Sequence, residues 1–299
     1  MRVVVFGAGS LGSLVGGLLT RRHEVTLIGR QPHVQAIEES GLVITGMVEA
    51  VVVPSAVEGV RGLPPADLVI ITVKSYDTES ALEAVRPLVS DGTLVVSLQN
   101  GLNNAELITN AYPGKAVVGV TSLGATRSGP GRVFYAGEGD TFFGTLKGEG
   151  AMAERVAEVF NSVGLDSYVT DDIMAEAWSK AIINAAINPL TAIARCKNGR
   201  VLKDESLLKI AGMACLEGEK IARAYGIRLG EGDMFERVKL VLRKTSENKS
   251  SMLQDLERRK RTEIDDITGE LVRRAEVVGV EAPVNRTLWL LVKSITQYE

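Results

Sequence analysis

Short runs of consecutive apolar, often β-branched residues alternate with helix-length segments through the first half of the chain. The runs fall at residues 3–6, 25–28, 68–73, 94–98 and 116–120. Between them lie segments 11–20, 34–39, 78–88 and 103–111, several with apolar residues at helical spacing. Strands that are apolar along their whole length, alternating with helices, predict a parallel sheet covered on both faces. Residues 43–44 and 48–53 predict an inserted strand pair turning near Thr45 and Gly46, and 134–143 a further extension of the sheet.

After about Thr170 the pattern changes to long helices, at 173–193, 206–225, 232–244 and 262–278, with a last one near 284–294. Gly226 and Gly279 fall where a helix C-terminus favours a residue able to take a left-handed conformation. Thr170, Asp171 and Asp172 offer N-caps for the first of these helices. With no repeat and no low-complexity linker, the boundary is placed between Leu165 and Asp172.

The first strand runs into Gly7-Ala8-Gly9-Ser10-Leu11-Gly12, which opens a helix. In a dinucleotide-binding turn the first glycine makes the tight bend and the second lets the backbone approach a pyrophosphate. The third lets helix and strand pack closely. The pyrophosphate then meets the N–H groups at the positive end of the helix dipole. The strand before, the helix after and a second strand at 25–28 give the glycines that context. The expected fold class is therefore α/β: an N-terminal Rossmann-type doubly wound parallel sheet over residues 1–168, plus an all-α C-terminal domain over 169–299.

The end of the second strand discriminates between cofactors, since an acid there suits the ribose hydroxyls and a cation suits a 2′-phosphate. This chain has Gly29-Arg30, and arginine binds phosphate through a charge-assisted fork. NADP(H) is favoured over an exposed loop arginine of no function. Lys74 closes the strand at 68–73, and Asn100 follows the one at 94–98. Both stand at the carboxyl edge where ligands of doubly wound sheets bind. Their plainer readings are a solvated strand end and a turn residue.

Composition narrows the function classes. Hydrophobic residues make up 45% and charged residues 24%, as in an ordinary globular protein, and 299 residues suffice for two cores. A formal net charge of −3 gives no overall attraction to nucleic acid. The one dense basic run, Arg258-Arg259-Lys260-Arg261, reads as a solvated helix end or turn. Cys196 and Cys215 make neither a disulfide framework nor a zinc motif, and with only His23 and His33 no His-rich metal site is expected. The first apolar run is too short for a signal segment, and no stretch approaches the roughly 20 apolar residues of a membrane span. The expectation is a cytoplasmic protein without nucleic-acid or membrane partners. The sequence does not disclose the oligomeric state and leaves a homodimer open.

The helix at 173–193 carries Lys180, Asn184 and Asn188 at i, i+4 and i+8, within roughly 80° of one another. They interrupt a segment otherwise built from Ala, Ile, Trp178 and Leu190. Polar groups on such a face are costly against a dry core but suit a cleft holding a polar ligand. Capping of neighbouring helices and a snorkelling lysine are the alternatives. Pro189 is expected to end or kink the helix, turning the chain toward Asn198.

A second polar cluster comprises Asn248, Ser250 and Ser251, followed by Thr262, Glu263 and Asp265. On one straight helix Ser251 and Glu263 would be about 18 Å apart. Thr262 with Asp265 resembles a capping pattern, so a break near 258–261 folds the two segments back on each other. Glu263 is then either a site residue or a first-turn acid favoured by the helix dipole.

The string from Lys180 to Ile193, KAIINAAINPLTAI, resembles the corresponding helix of ketopantoate reductases (2-dehydropantoate 2-reductases), as do residues 250–255, SSMLQD, and 261–265, RTEID. The glycine turn, Gln99-Asn100-Gly101 and Asn198-Gly199 fall in the same order as in that family, and the resemblance covers nearly the whole chain. It implies NADPH-dependent reduction of 2-dehydropantoate to (R)-pantoate, a step toward pantothenate and coenzyme A. It further implies Lys180 as general acid and Glu263 bonded to the substrate hydroxyl. Asn184, Asn188, Asn198, Asn248 and Ser251 would hold substrate polar groups, Asn100 would bridge nicotinamide ribose and substrate, and Arg30 would meet the 2′-phosphate. One departure stands out: Asp77, three residues after Lys74, takes a place where some members carry glutamine, and an acid there opposes a 2′-phosphate. A reductase of another branched 2-oxo acid and a non-catalytic NADP sensor are the rival readings.

Overall fold

The apolar runs become adjacent strands. In the computed structural model, residues 1–147 and 150–297 are described. The first half runs β1 (Arg2–Phe6), α1 (Ser10–Leu19), β2 (Glu24–Ile28), α2 (His33–Ser40), β3 (Leu42–Gly46), β4 (Ala50–Val52), β5 (Ser55–Val57), β6 (Leu68–Ile71), α3 (Thr78–Ala84), β7 (Leu94–Ser97), α4 (Asn103–Ala111) and β8 (Ala116–Thr121). Then follow β9 (Gly124–Gly129), β10 (Arg132–Gly137), β11 (Thr141–Gly144), α5 (Gly150–Asn161) and β12 (Ser167–Val169).

The main sheet has eight strands in the order β12-β11-β8-β7-β6-β1-β2-β5. From β5 to β8 all neighbours are parallel, with Val3 opposite both Val25 and Leu68. Every residue of β6 and β7 is buried, as both covered faces require. Only β11 and β12 run against the rest. The order reverses between β1 and β6, and this switch point is where the loop after β1 meets the loop after β6.

Four further strands form a second sheet, β4-β3-β10-β9. The expected inserted pair exists as β3 and β4, but it turns at residues 47–49, because Thr45 and Gly46 still belong to β3. Residues 134–143 divide between the two sheets: β10 pairs with β3 and β9, whereas β11 joins the main sheet. The segment expected as one helix over 78–88 is α3 followed by a 3-10 turn at Arg86–Leu88, since Pro87 brings no backbone N–H. Strands β5 and β12 have three residues each, and β9 is the sequence GATRSG; none carries a run long or apolar enough to read in advance.

The remaining chain is helical: α6 (Ile173–Ile193), α7 (Asn198–Lys203), α8 (Glu205–Ala224), α9 (Met234–Lys244), α10 (Ser251–Glu257), α11 (Thr268–Val277) and α12 (Pro283–Gln297). Contacts divide the molecule into two compact units. One is Met1–Gln99 with Asn104–Ile173; the other is Asn100–Asn103 with the chain from Met174 onward. In the helical unit α6 buries Trp178, Ile182, Ala185 and Ala186. Gly218 of α8 permits close packing there, because a Cβ would lie 2.8 Å from Ile182 Cγ1. Arg274 of α11 stacks over Trp178 and Tyr225 while its Nε donates to Glu270 Oε1 at 2.8 Å.

Two expectations in this unit are corrected. Pro189 does not end α6, which continues to Ile193 with Leu190 and Ala192 buried in its last turn. The helix expected from Thr262 begins at Thr268, and the Thr262 hydroxyl makes no capping bond but is buried without a partner. Residues 263–267 form turns instead, with the N–H groups of Asp266 and Ile267 both donating to Glu263 O. Among the described residues no helix is long and apolar enough to cross a membrane.

Candidate active site

In the sheet unit the glycine loop has the geometry its spacing predicts. Gly7 adopts φ +113°, and a Cβ there would lie 2.6 Å from Val73 N. The loop is held at the switch point by Gly7 N and Ala8 N, which donate to Ile28 O at 3.0 and 2.8 Å, and by Thr72 Oγ1, which donates to Gly7 O at 2.9 Å. A Cβ on Gly12 would collide with the Gly7 carbonyl and the Thr72 hydroxyl, so only glycine lets α1 approach. Gly9 is different: a Cβ there would meet no atom nearer than Gly7 O at 3.9 Å. It faces open space before an N-terminus of α1 that no side chain caps. A cradle that a side chain would fill, in front of Ser10, Leu11 and Gly12, fits a dinucleotide pyrophosphate.

Ser10 Oγ accepts from Arg127 N at 2.9 Å, tying α1 to β9. His33 adds a second tie. Its Nδ1 accepts the Gly131 N–H at 2.9 Å, which leaves the proton on Nε2 for Ser13 Oγ at 2.9 Å. Burial, and then the charge of Arg127, push its pKa down to about 4, so the ring stays neutral. Arg30, at the end of β2, is almost fully exposed and lies 3.7 Å from Asp77 Oδ2. Lys74 precedes the 3-10 turn Ser75–Asp77, and its carbonyl accepts from Asp77 N at 2.8 Å.

That turn rests on a buried polar network the sequence did not announce. Thr78 Oγ1 is 2.7 Å from Asn104 Oδ1 and 2.8 Å from Ser75 O. Asn104 Nδ2 donates to Ser75 Oγ at 3.1 Å, and Gln99 Nε2 reaches both Val73 O and Thr78 Oγ1. Asn100 comes next, half-buried, before Gly101 at φ +93°. The only sequence signal was a set of small polar residues after two buried strands, which any turn could show.

In the helical unit Lys180 and Asn184 are half-buried, and Asn188 is 6% exposed. None of the three side chains is hydrogen-bonded to a described residue. Polar groups on so apolar a helix face suit contact with a polar ligand or water rather than a dry core. Burial pushes the Lys180 pKa down to about 8, and the charge of Glu263 opposes the shift. Glu263 is 5% exposed. Its neighbour Ile264 packs in an apolar cluster with Ala192, Met252, Leu256 and Val292. Asp265 fastens the same turn to α12, accepting Trp289 Nε1 at 2.7 Å. Asp266, with Oδ2 buried and unpartnered, was not anticipated; burial and then the Glu263 charge raise its pKa to about 6.

Asn198 and Asn248, distant in sequence, are joined: Asn198 N donates to Asn248 O at 3.0 Å, and Asn198 Nδ2 to Thr245 Oγ1 at 2.8 Å. Asn198 Oδ1 is buried without a partner. Gly199 makes the approach possible, because a Cβ would be 2.9 Å from Ser246 Cβ. Ser250 caps α10 through Leu253 N and accepts from Thr191 Oγ1 at 2.7 Å, whereas Ser251 beside it is exposed. The arrangement offers one ammonium of lowered pKa, a carboxylate acting on it, and amide groups with polar atoms that no described residue bonds, the means to hold a polar substrate and protonate it.

Comparisons with known proteins agree across the chain. The family described as ketopantoate reductase PanE/ApbA matches residues 3–148, and its C-terminal counterpart matches residues 172–296. A 2-dehydropantoate 2-reductase of Pyrococcus horikoshii is 44% identical, over 98% of this chain and 97% of that protein. A crystal structure of a PanE/ApbA family ketopantoate reductase from Ralstonia eutropha superposes with TM-score 0.91 at 34% identity, covering 100% of this chain and 99% of the other. A D-mandelate dehydrogenase bound to NADH and anilino(oxo)acetate superposes with TM-score 0.94 at 28% identity, covering 100% and 99%.

Proposed function

The chain belongs to the ketopantoate reductase family and is an oxidoreductase, and on that premise we propose that it reduces 2-dehydropantoate to (R)-pantoate, with NADP(H) as cofactor, toward pantothenate and coenzyme A. The observation that carries the reading is the row Lys180, Asn184 and Asn188 on α6, whose side chains make no hydrogen bond to a described residue, with Glu263 acting electrostatically on the lysine.

The glycine loop, with Gly7, Ala8, Gly9, Ser10, Leu11 and Gly12, would hold the cofactor pyrophosphate, and Arg30 and Lys74 would meet the ribose end. When bound, the nicotinamide supplies the hydride that reduces the ketone carbon. The chain's own task is at the ketone oxygen. Negative charge develops there, and the Lys180 ammonium both stabilises it and delivers its proton. With a pKa of about 8, Lys180 is mostly protonated near neutrality yet gives up its proton more readily than an ordinary lysine. Glu263 favours the charged ammonium and accepts the substrate's hydroxyl hydrogen. Asn184, Asn188, Asn198, Asn248 and Ser251 would supply amide and hydroxyl contacts to the carboxylate and hydroxyl groups, with Asn100 between nicotinamide ribose and substrate.

A second reading has a specific support. The mandelate dehydrogenase superposes at TM-score 0.94, so the same scaffold serves a protein named for a different 2-hydroxy acid. A fold alone does not choose between such substrates. The assay that decides is cofactor oxidation at 340 nm with ketopantoate, set against 2-oxoisovalerate and phenylglyoxylate. Turnover of ketopantoate at least tenfold more efficient than of the others supports the proposal; preference for either of the others overturns the substrate.

A further inference from the structure

The end of β2 lacks the carboxylate that recognises an unphosphorylated ribose in many dinucleotide sites. Gly29 leaves little room for one, because a Cβ on it would lie 2.9 Å from the Cβ of Ala8 in the glycine loop. Arg30 supplies a cation instead. A carboxylate nevertheless reaches this point from another strand. Asp77, in the turn after β6, places Oδ2 at 3.7 Å from the Arg30 guanidinium. The position is built: Asp77 N is bonded to Lys74 O at 2.8 Å, and Thr78 beside it is anchored to Asn104 and Gln99. Glu58, just past β5, is bonded to Gln31 Nε2 at 3.1 Å.

We propose that Arg30 and Asp77 form a two-way selector for the ribose 2′ position, so that this chain binds both NADPH and NADH and Asp77 sets the ratio. The proposal rests on the reading of the glycine loop as a nicotinamide dinucleotide site. A 2′-phosphate takes the Arg30 fork and is opposed by the Asp77 charge. A free 2′-hydroxyl donates to the Asp77 carboxylate and leaves Arg30 paired. Each cofactor uses one half of the pair, and the charge of the other half counts only against the 2′-phosphate. An ion pair this exposed is screened and weak, so Arg30 is not locked and the selection is graded.

The test is equilibrium binding of NADPH and of NADH to the full chain without substrate, followed by cofactor fluorescence. The wild type is expected to bind the two within about tenfold of each other. Asp77→Asn should move the ratio toward NADPH, and Arg30→Gln toward NADH, each by about two- to fivefold. A wild-type preference beyond about 1,000-fold, or an Asp77→Asn ratio equal to wild type, overturns the selector. Asp77→Ser, measured the same way, decides if the asparagine variant does not fold. Shifted ratios without ketopantoate turnover would remove the substrate proposed above and keep the selector, and turnover with unshifted ratios would do the reverse. Binding of neither cofactor would overturn both.

Discussion

Glu263 works against burial at Lys180: desolvation lowers the ammonium's pKa from its ordinary 10.5 to about 8, and the carboxylate's charge keeps it from falling further. The two residues lie on different elements, α6 and the turn before α11, so their opposition is a property of the folded helical unit. As the proposed general acid, Lys180 can donate a proton only while charged. Activity should therefore be level below about pH 7 on this account and fall as pH rises through about 8. Glu263→Gln removes the influence that raises the pKa and should move that limb to lower pH. A basic limb that stays in place in the variant would show that Glu263 does not act on the titrating group.

Lys180→Ala should lower kcat by about 10²- to 10³-fold, the effect of losing one donor to a developing oxyanion. Cofactor affinity, measured by titration, should stay within about twofold of wild type, since the role proposed for Lys180 is at the substrate and not at the glycine loop. Wild-type turnover in this variant would take Lys180 out of the mechanism.

The two loop glycines should respond differently to the same added methyl group. Gly9→Ala meets open space, so the melting temperature should be unchanged while cofactor Kd rises about tenfold or more, roughly 1.4 kcal/mol. Gly12→Ala meets the Gly7 carbonyl and the Thr72 hydroxyl, so it should lower thermal stability as well. Equal losses of stability in both would mean that Gly9 is needed for packing and not for a ligand.

His33 should make the sheet unit acid-sensitive. Its folded pKa of about 4 lies below the ordinary 6.5, so the unfolded chain binds more protons between those values. The stability from the neutral ring is present above pH 6.5 and is lost as pH falls toward 4, on the order of 3 kcal/mol. Denaturant titrations from pH 7 to pH 4 should show a shallower loss in His33→Gln than in the wild type. Parallel slopes would contradict the buried, neutral ring.

Glu217 of α8 caps α12 from the side. Its carboxylate, 8% exposed, accepts from Val284 N, Asn285 N and Asn285 Nδ2, each at 2.8 Å. Glu217→Ala strands these donors and should cost about 3 kcal/mol of unfolding free energy in denaturant. A loss below about 0.5 kcal/mol would mean that water replaces the carboxylate without penalty.

Local periodicity alone specifies several parts of this protein. Continuous apolar runs specified β1, β2, β6, β7 and β8 because a strand buried on both faces has no polar side to show. Glycine spacing after β1 specified the turn, because Gly7 and Gly12 sit where a Cβ has no room. The row Lys180, Asn184, Asn188 was legible because a repeat of four residues keeps one helix face and its surroundings are apolar. What separated segments do to one another follows from their packing in the folded chain. Thr262 and Asp265 have the spacing of a helix cap, yet Ile264 enters a cluster with α6, α10 and α12 while Trp289 holds Asp265, and the helix waits until Thr268. Asn198 meets Asn248, His33 meets Ser13 and Gly131, and Arg30 meets Asp77 through contacts that no local pattern encodes. Periodicity records which face of an element is buried, whereas a charge, a cap or a shared proton depends on which distant residue arrives at that face.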